Sequence, residues 1–226
     1  MKTRVFCTGI ACLMFFTALA DNIWSVGAFE KKRGWPVVSA DGSKKLYIGC
    51  ADKGDYTAGD IVLNPIVSET EGVLDLRALT LNSPTGAVAV KSVAVGAEFL
   101  RKDNSITEFY ADRVSSIGKY AFSGAQKLER VVLSGTADSI PDGKYPTHPS
   151  IRIGVFSDCP LLKEVVLDLP LKHIGDAAFA GSTNISSDVS QIVPRSIESI
   201  GKTAFWDCIN IRGELVTDAV KSVGGR

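Results

Sequence analysis

The sequence predicts a mainly β solenoid built from units of about 23 residues, with short irregular and 3-10 turns and a β-rich cap at its N-terminal end. Three observations predict it. The phrase SIGKYAF at 116–122 returns as HIGDAAF at 173–179 and SIGKTAF at 199–205, with looser copies SIRIGVF at 150–156 and VAVGAEF at 93–99. The phenylalanines that close the phrases, Phe99, Phe122, Phe156, Phe179 and Phe205, are separated by 23, 34, 23 and 26 residues, so one interval carries an insertion of 11. Two phrases are followed by LERVVL at 128–133 and LKEVVL at 162–167, alternating β-branched runs that suit a strand with one buried face.

Taken in order, the chain opens with Lys2 and Arg4 before an apolar run from Val5 to Phe16, then Ala18-Leu19-Ala20 ahead of Asp21. This reads as a secretory signal cleaved after Ala20, which places the mature protein outside the cytoplasm: secreted, periplasmic or at the cell surface. A lipoprotein reading would need a lipidated Cys12, with Gly9 standing where an aliphatic residue belongs. No later segment reaches the roughly 20 apolar residues of a membrane span.

Residues 21–80 lack the repeat and read as a β-rich cap or flanking segment, since a solenoid needs its first coil shielded from water. Within it, GVLDLRALTL at 72–81 alternates like a strand leading into the first coil. Residues 81–226 are the repeats, with the insertion at about 134–149 and an incomplete last unit, VKSVGGR, that starts another phrase.

Inside the repeats, whole columns keep step with the phenylalanine. Five residues before it stand Ile117, Ile151, Ile174 and Ile200, just before it Ala121, Val155, Ala178 and Ala204, and six after it Leu128, Leu162, Ile185 and Ile211. Each unit thus supplies one short strand and a tight return, and it buries its apolar side only against its neighbours. Gly118, Gly175 and Gly201 follow the isoleucines, either where the backbone needs positive φ or where the next coil approaches closely. Arg152 breaks that column beside the insertion.

The pattern SIGxxAF, a small residue or Cys three positions on, an aliphatic at six and then a strand resembles the BspA-like leucine-rich repeat family of bacterial and some protozoan surface proteins. The resemblance covers about residues 93–226. It implies a right-handed curved solenoid and, for some members, adhesion to host extracellular-matrix or plasma proteins or to other microbes. No residue motif carries that function, so no site is transferred.

Composition narrows the partners. Residues 1–20 hold two basic and no acidic residues, so the remainder carries 23 basic against 25 acidic side chains, a formal charge of −2. A protein gripping phosphate backbones would show a basic stripe, and here the signs alternate, so nucleic acid is not expected.

The mature cysteines are Cys50, Cys159 and Cys208. Cys159 and Cys208 share the column of Ala125 and Ser182, which asks for a small buried residue, and two coils at the strand spacing put them about 10 Å apart, beyond disulfide reach. Cys50 is left as a buried thiol or an intermolecular link. His148 lies in the insertion, and His173 occupies the column of Ser116, Ser150 and Ser199 as a polar turn residue; no GxSxG accompanies either. Asp52, Asp55 and Asp60 lack the alternate spacing of a calcium loop and read as turn residues. No catalytic residue, metal or cofactor is therefore expected.

Two places remain as interaction surfaces. The insertion presents Tyr145 and His148 between prolines, either on a binding face or as a solvated excursion. Trp206 replaces the small residues Ser123, Ser157 and Ala180, either as an exposed interface anchor or as cover for the next coil. The reading is a secreted or surface protein-binding and adhesion module, with a self-associating envelope or matrix component as the alternative, joined through an open C-terminal end.

Overall fold

The computed structural model describes residues 22–31, 33–50, 56, 59–65, 70–143 and 153–224. The leader at 1–20 and Asp52, Asp55, Tyr145, His148, Ile151 and Arg152 lie outside the described residues. Four strands, β1 (Asn22–Val26), β2 (Trp35–Ser39), β3 (Lys45–Cys50) and β4 (Asp60–Leu63), form an antiparallel meander. Alternation sets its buried face, with Trp24 and Val26 inward from β1 and Ile61 and Leu63 inward from β4.

The run at 72–81, expected as one strand, is two. Asp75 accepts the backbone N–H of Arg77 at 3.0 Å, and Ala78 adopts φ 50°, so the chain turns. It leaves β5 (Gly72–Asp75) beside the repeats and sends β6 (Leu79–Ser83) back to pair with β1. Residue 80 therefore sits inside β6, which forms a hairpin with β7 (Gly86–Ala89).

From β8 (Ser92–Val95) onward all pairing between named strands is parallel. β9 (Ile106–Ile117) runs beside β5 and then beside β8, and Arg113 at φ 56° makes the bulge between its two halves. β10 (Arg130–Gly135) lies on β9; then come β11 (Ser139–Ile140), β12 (Glu164–Asp168), which lies on β10, and β13 (His173–Ile174). A single helical turn α1 (Val189–Ile192), β14 (Ser199–Ile200) and β15 (Ser222–Val223) complete the described elements.

The larger sheet runs β12-β10-β9-β8-β4-β3-β2-β1-β6-β7, with β5 also on β9, and it is a curled open sheet consistent with a leucine-rich-repeat type of solenoid. The smaller one is β11-β13-β14-β15. Not every unit supplies a strand, contrary to expectation. After β12 the place is taken by α1, because Asp188 caps it in a capping box with Gln191 and Ser187 Oγ accepts the N–H of Val165 at 2.8 Å.

Between the sheets, the turns stack as a ladder. In each turn alternate N–H groups close back three residues, as Ser123 does to Tyr120 and Ala180 to Ala177. The others reach the following turn: Phe122 N–H to Val155 C=O at 2.9 Å, Phe156 to Ala178 at 2.7 Å and Phe179 to Ala204 at 2.7 Å. All turn donors in this register find partners in this way until the last coil.

Phe122, Phe156, Phe179 and Phe205 lie face on face, with ring centroids 4.8, 5.0 and 5.1 Å apart and planes within 4° of parallel. That rise matches the strand spacing of about 4.8 Å, one ring per coil.

Phe99 does not belong to this column. Leu100 N–H donates to Ala121 C=O, as Phe122 does to Val155, so Leu100 holds the phenylalanine position and Phe99 the alanine position. Phe99 instead meets Phe122 edge-on, at 6.4 Å and 88°. With Leu100 as anchor, buried Ile106 falls six residues on, in the column of Leu128 and Leu162.

The isoleucine column needs a second correction. Ser139 and Ile140 pair with His173 and Ile174, so Ile140 takes the place read for Ile151 and the column runs Ile117, Ile140, Ile174, Ile200. Residues 139–140, read as part of the insertion, therefore belong to the ladder. Pro141 stands in the glycine column beside Gly175, the place read for Arg152.

The glycines answer to space rather than to φ. A Cβ on Gly175 would lie 2.4 Å from the Pro141 carbonyl carbon, and one on Gly201 2.4 Å from Asp176 N, whereas neither residue has positive φ. Positive φ falls two residues either side of the phenylalanine and is mostly held by other types, among them Tyr120, Ala177, Thr203, Asp158 and Asp207.

Candidate interaction surfaces

The outward face of the parallel strands carries a patch that sequence reasoning missed. Pairing aligns Asp75, Tyr110, Val132 and Val166 in one half-buried row and Val73, Glu108, Arg130 and Glu164 in the next. Tyr110 is held between two guanidiniums, Arg77 at 4.6 Å and Arg130 at 5.7 Å from its ring centre.

Carboxylates fix both cations: Arg77 Nε donates to Asp75 Oδ1 at 2.9 Å, and Arg130 pairs with Glu164 at 3.0 Å. The Tyr110 hydroxyl donates to Glu108. Burial, followed by that hydrogen bond, pushes its phenol up to about 12, so Tyr110 stays neutral and presents a polar tip and an apolar body. The signal lay in EFYADR at 108–113, but only the β5–β9–β10 register shows that both arginines reach it.

Cys159 and Cys208 are free thiols. Cys159 Sγ donates to Phe122 C=O at 3.0 Å and Cys208 Sγ to Phe179 C=O at 3.1 Å; Ser182 Oγ makes the same bond to Phe156 C=O at 2.6 Å. Three of the four residues in this column thus add a donor to a small volume, and Ala125 supplies the volume alone. Burial pushes both thiols up to about 12, which leaves them protonated and unreactive near neutrality.

His173 does face a serine and a carboxylate, which come from separate coils and share no local motif with it. Its Nδ1 lies 2.7 Å from Ser199 Oγ and its Nε2 3.1 Å from Asp142 Oδ1. Asp142 also accepts Asp176 N–H at 3.1 Å, and that bond, with His173 adding to it, holds its carboxyl below the usual range. The surrounding N–H groups are engaged: Ser199 with Lys172 C=O, Gly201 with Ile174 C=O and Lys202 with Asp176 Oδ1. The trio thus ties three coils together through side-chain and backbone bonds. Asp60 accepts Ser92 Oγ at 2.6 Å, a tie between β4 and β8.

Trp206 lies on the last coil, 44% exposed. Together with Phe205, Ile209 and Val223 it lines a groove of about 570 Å³. The equivalent Ser123, Ser157 and Ala180 are buried because another turn covers them.

This geometry has a match among known repeats. The family model of the BspA type leucine rich repeat region fits six copies over residues 95–225, more than half of the chain. The chain belongs to the BspA-type leucine-rich-repeat family. The matched span is the one marked by Gly96, Gly118, Pro141, Gly175, Gly201 and Gly224, successive members of one ladder column. Neither the curated proteins nor the solved structures compared with the chain give a match. Membership in a leucine-rich-repeat family indicates a protein-interaction module. Among the described residues no helix is long and apolar enough to cross a membrane.

Proposed function

We propose that this chain is an exported BspA-type protein-binding and adhesion module without chemistry of its own. It contacts its partner through the outward face of β5, β9, β10 and β12, and the N-terminal meander serves as the cap of the solenoid. The observation that carries the reading is Tyr110 clamped between Arg77 and Arg130 on that face. Tyrosine and arginine on a rigid sheet are the residue types that dominate interface energetics, and the carboxylates pre-order them, so little side-chain entropy is lost on contact. The basic-then-apolar leader at 1–20 supports export. A right-handed repeat of about 23 residues completes this reading.

Surface plasmon resonance of the purified chain against a panel of extracellular-matrix and plasma proteins tests it. Saturable binding to a panel member that Tyr110→Ala weakens about tenfold or more is the expected result. Binding that ignores Tyr110→Ala and Arg130→Ala alike would remove the face from the proposal.

A second reading, self-association as an envelope or matrix component, is favoured by one observation. Trp206, Ile209, Leu215, Val216 and Val223, five of the nine exposed large apolar residues, all lie on the last stretch of the described chain.

A further inference from the structure

We infer that Asn22, in the N-terminal meander, is the positioning residue that holds Arg77 over Tyr110 and so sets the outward face for its partner; this rests on the reading of that face as the binding surface. The meander then shapes recognition as well as covering the first coil. Arg77 sits on the turn where the chain leaves β5, beside the repeats, for β6, beside the meander. Ala78 closes that turn at φ 50°, a strained geometry for a residue other than glycine, kept only where the surroundings impose it.

Two residues far away in sequence impose it. Asn22, at the start of β1, donates through Nδ2 to the carbonyl of Asp75 at 2.8 Å and to that of Arg77 at 3.1 Å. From β9, Asp112 Oδ2 accepts the N–H of Ala78 at 2.9 Å. Within the turn, Asp75 Oδ1 accepts both the backbone N–H of Arg77 at 3.0 Å and its Nε–H at 2.9 Å. Backbone and guanidinium are thus fixed together, and the guanidinium rests 4.6 Å from the centre of the Tyr110 ring.

Donor count explains the asparagine. Its Oδ1 accepts the indole N–H of Trp24 at 2.7 Å, a group that only donates, and this turns both Nδ2 hydrogens toward the two carbonyls. An aspartate would keep the shape and the bond from Trp24 but has no hydrogen to give. Trp24 is buried and pairs with Leu81 of β6, so Asn22 is anchored to the interior of the meander. Contiguous bonds therefore run from that interior through Asn22 and the 75–77 turn to the clamp on Tyr110.

Variants at position 22 test this with two readouts. In proton–nitrogen spectra of the purified chain, the Arg77 Nε–H signal should be displaced by the Tyr110 ring. Asn22→Asp and Asn22→Ala should each move it toward the position of a free arginine. Val26→Ala, which loosens the same strand through its buried face, should leave it in place. Against a matrix or plasma protein whose binding Tyr110→Ala weakens, Asn22→Asp should raise Kd about threefold or more, and Val26→Ala should not.

An Arg77 signal that stays put in both Asn22 variants, or that moves as far in Val26→Ala, overturns the inference. Displacement of Arg77 with unchanged affinity also overturns it, since the meander would then shape the turn without serving the face. A chain that binds no member of the panel overturns the binding reading instead, and the spectra alone then decide whether Asn22 places Arg77.

Discussion

Phe156 and Phe205 occupy the same column of the same phrase, yet one is fully buried and the other half-buried. Phe156 has a ring on each side, at 4.8 and 5.0 Å, and Phe205 has one, at 5.1 Å. Phe156 N–H donates to the next turn; that of Phe205 has no acceptor among the described residues. Local sequence is nearly the same in the two places. What differs is the neighbour, so the stability of a coil is mostly a property of the contact between coils.

The comparison is broken most severely by removing the ring itself. Phe156→Ala should destabilise by about 3–5 kcal/mol, since it opens a cavity that the stacked neighbours cannot collapse into. Phe205→Ala should cost about 1–2 kcal/mol, because half its transfer from water is already missing. Urea unfolding followed by circular dichroism measures both, and equal losses would mean that the last coil is as well covered as the middle ones.

Next in size is the close approach at the glycines. Gly175→Ala forces a Cβ to 2.4 Å from the Pro141 backbone, which should cost about 1–3 kcal/mol through displacement of a coil. At Gly42 nothing lies within 4 Å, so Gly42→Ala meets only the strain of φ +70°, about 1 kcal/mol. The same unfolding experiment separates crowding from conformational strain.

These positions also show what a sequence makes legible. Glycine and phenylalanine are dictated by space that recurs from coil to coil, so the ladder and the family could be read directly. Register could not be read where two neighbours satisfy the same demand. Phe99 and Leu100 are both apolar and both buried, and only the bond from Leu100 to Ala121 says which one enters the phenylalanine column. Likewise SI occurs at 139–140 and again at 150–151, and the pairing with His173 and Ile174 selects the first. The patch around Tyr110 depends on residues from three strands far apart in sequence, and alternation within one strand carries no record of what lies across from it.

The cysteines sharpen the same contrast by a smaller step. Cys159→Ala and Cys208→Ala each delete one donor to a phenylalanine carbonyl, and Cys159→Ala should cost about 1 kcal/mol and Cys208→Ala less. Labelling by a thiol reagent at neutral pH requires opening of the coil, since both thiols are pushed up to about 12. Cys208 should therefore label at least about tenfold faster than Cys159, through local opening of the last coil. Equal rates would mean that the repeats open as one unit.

The smallest effect expected is that of acid on the tie at His173. Asp142 has its folded pKa lowered by the N–H of Asp176 and then by His173, so the stability it contributes is present above the ordinary carboxylate pKa of about 3.9. That contribution is lost as pH falls through the folded value. Because the Asp142 side chain is 61% exposed, solvent screening keeps the effect below about 0.5 kcal/mol. Asp142→Asn should remove that part of the acid dependence and leave stability at neutral pH lower by a similar amount. Thermal unfolding from pH 3 to pH 7 compares the two proteins, and parallel curves would show that the coils on either side of Pro141 are joined by their backbone bonds alone.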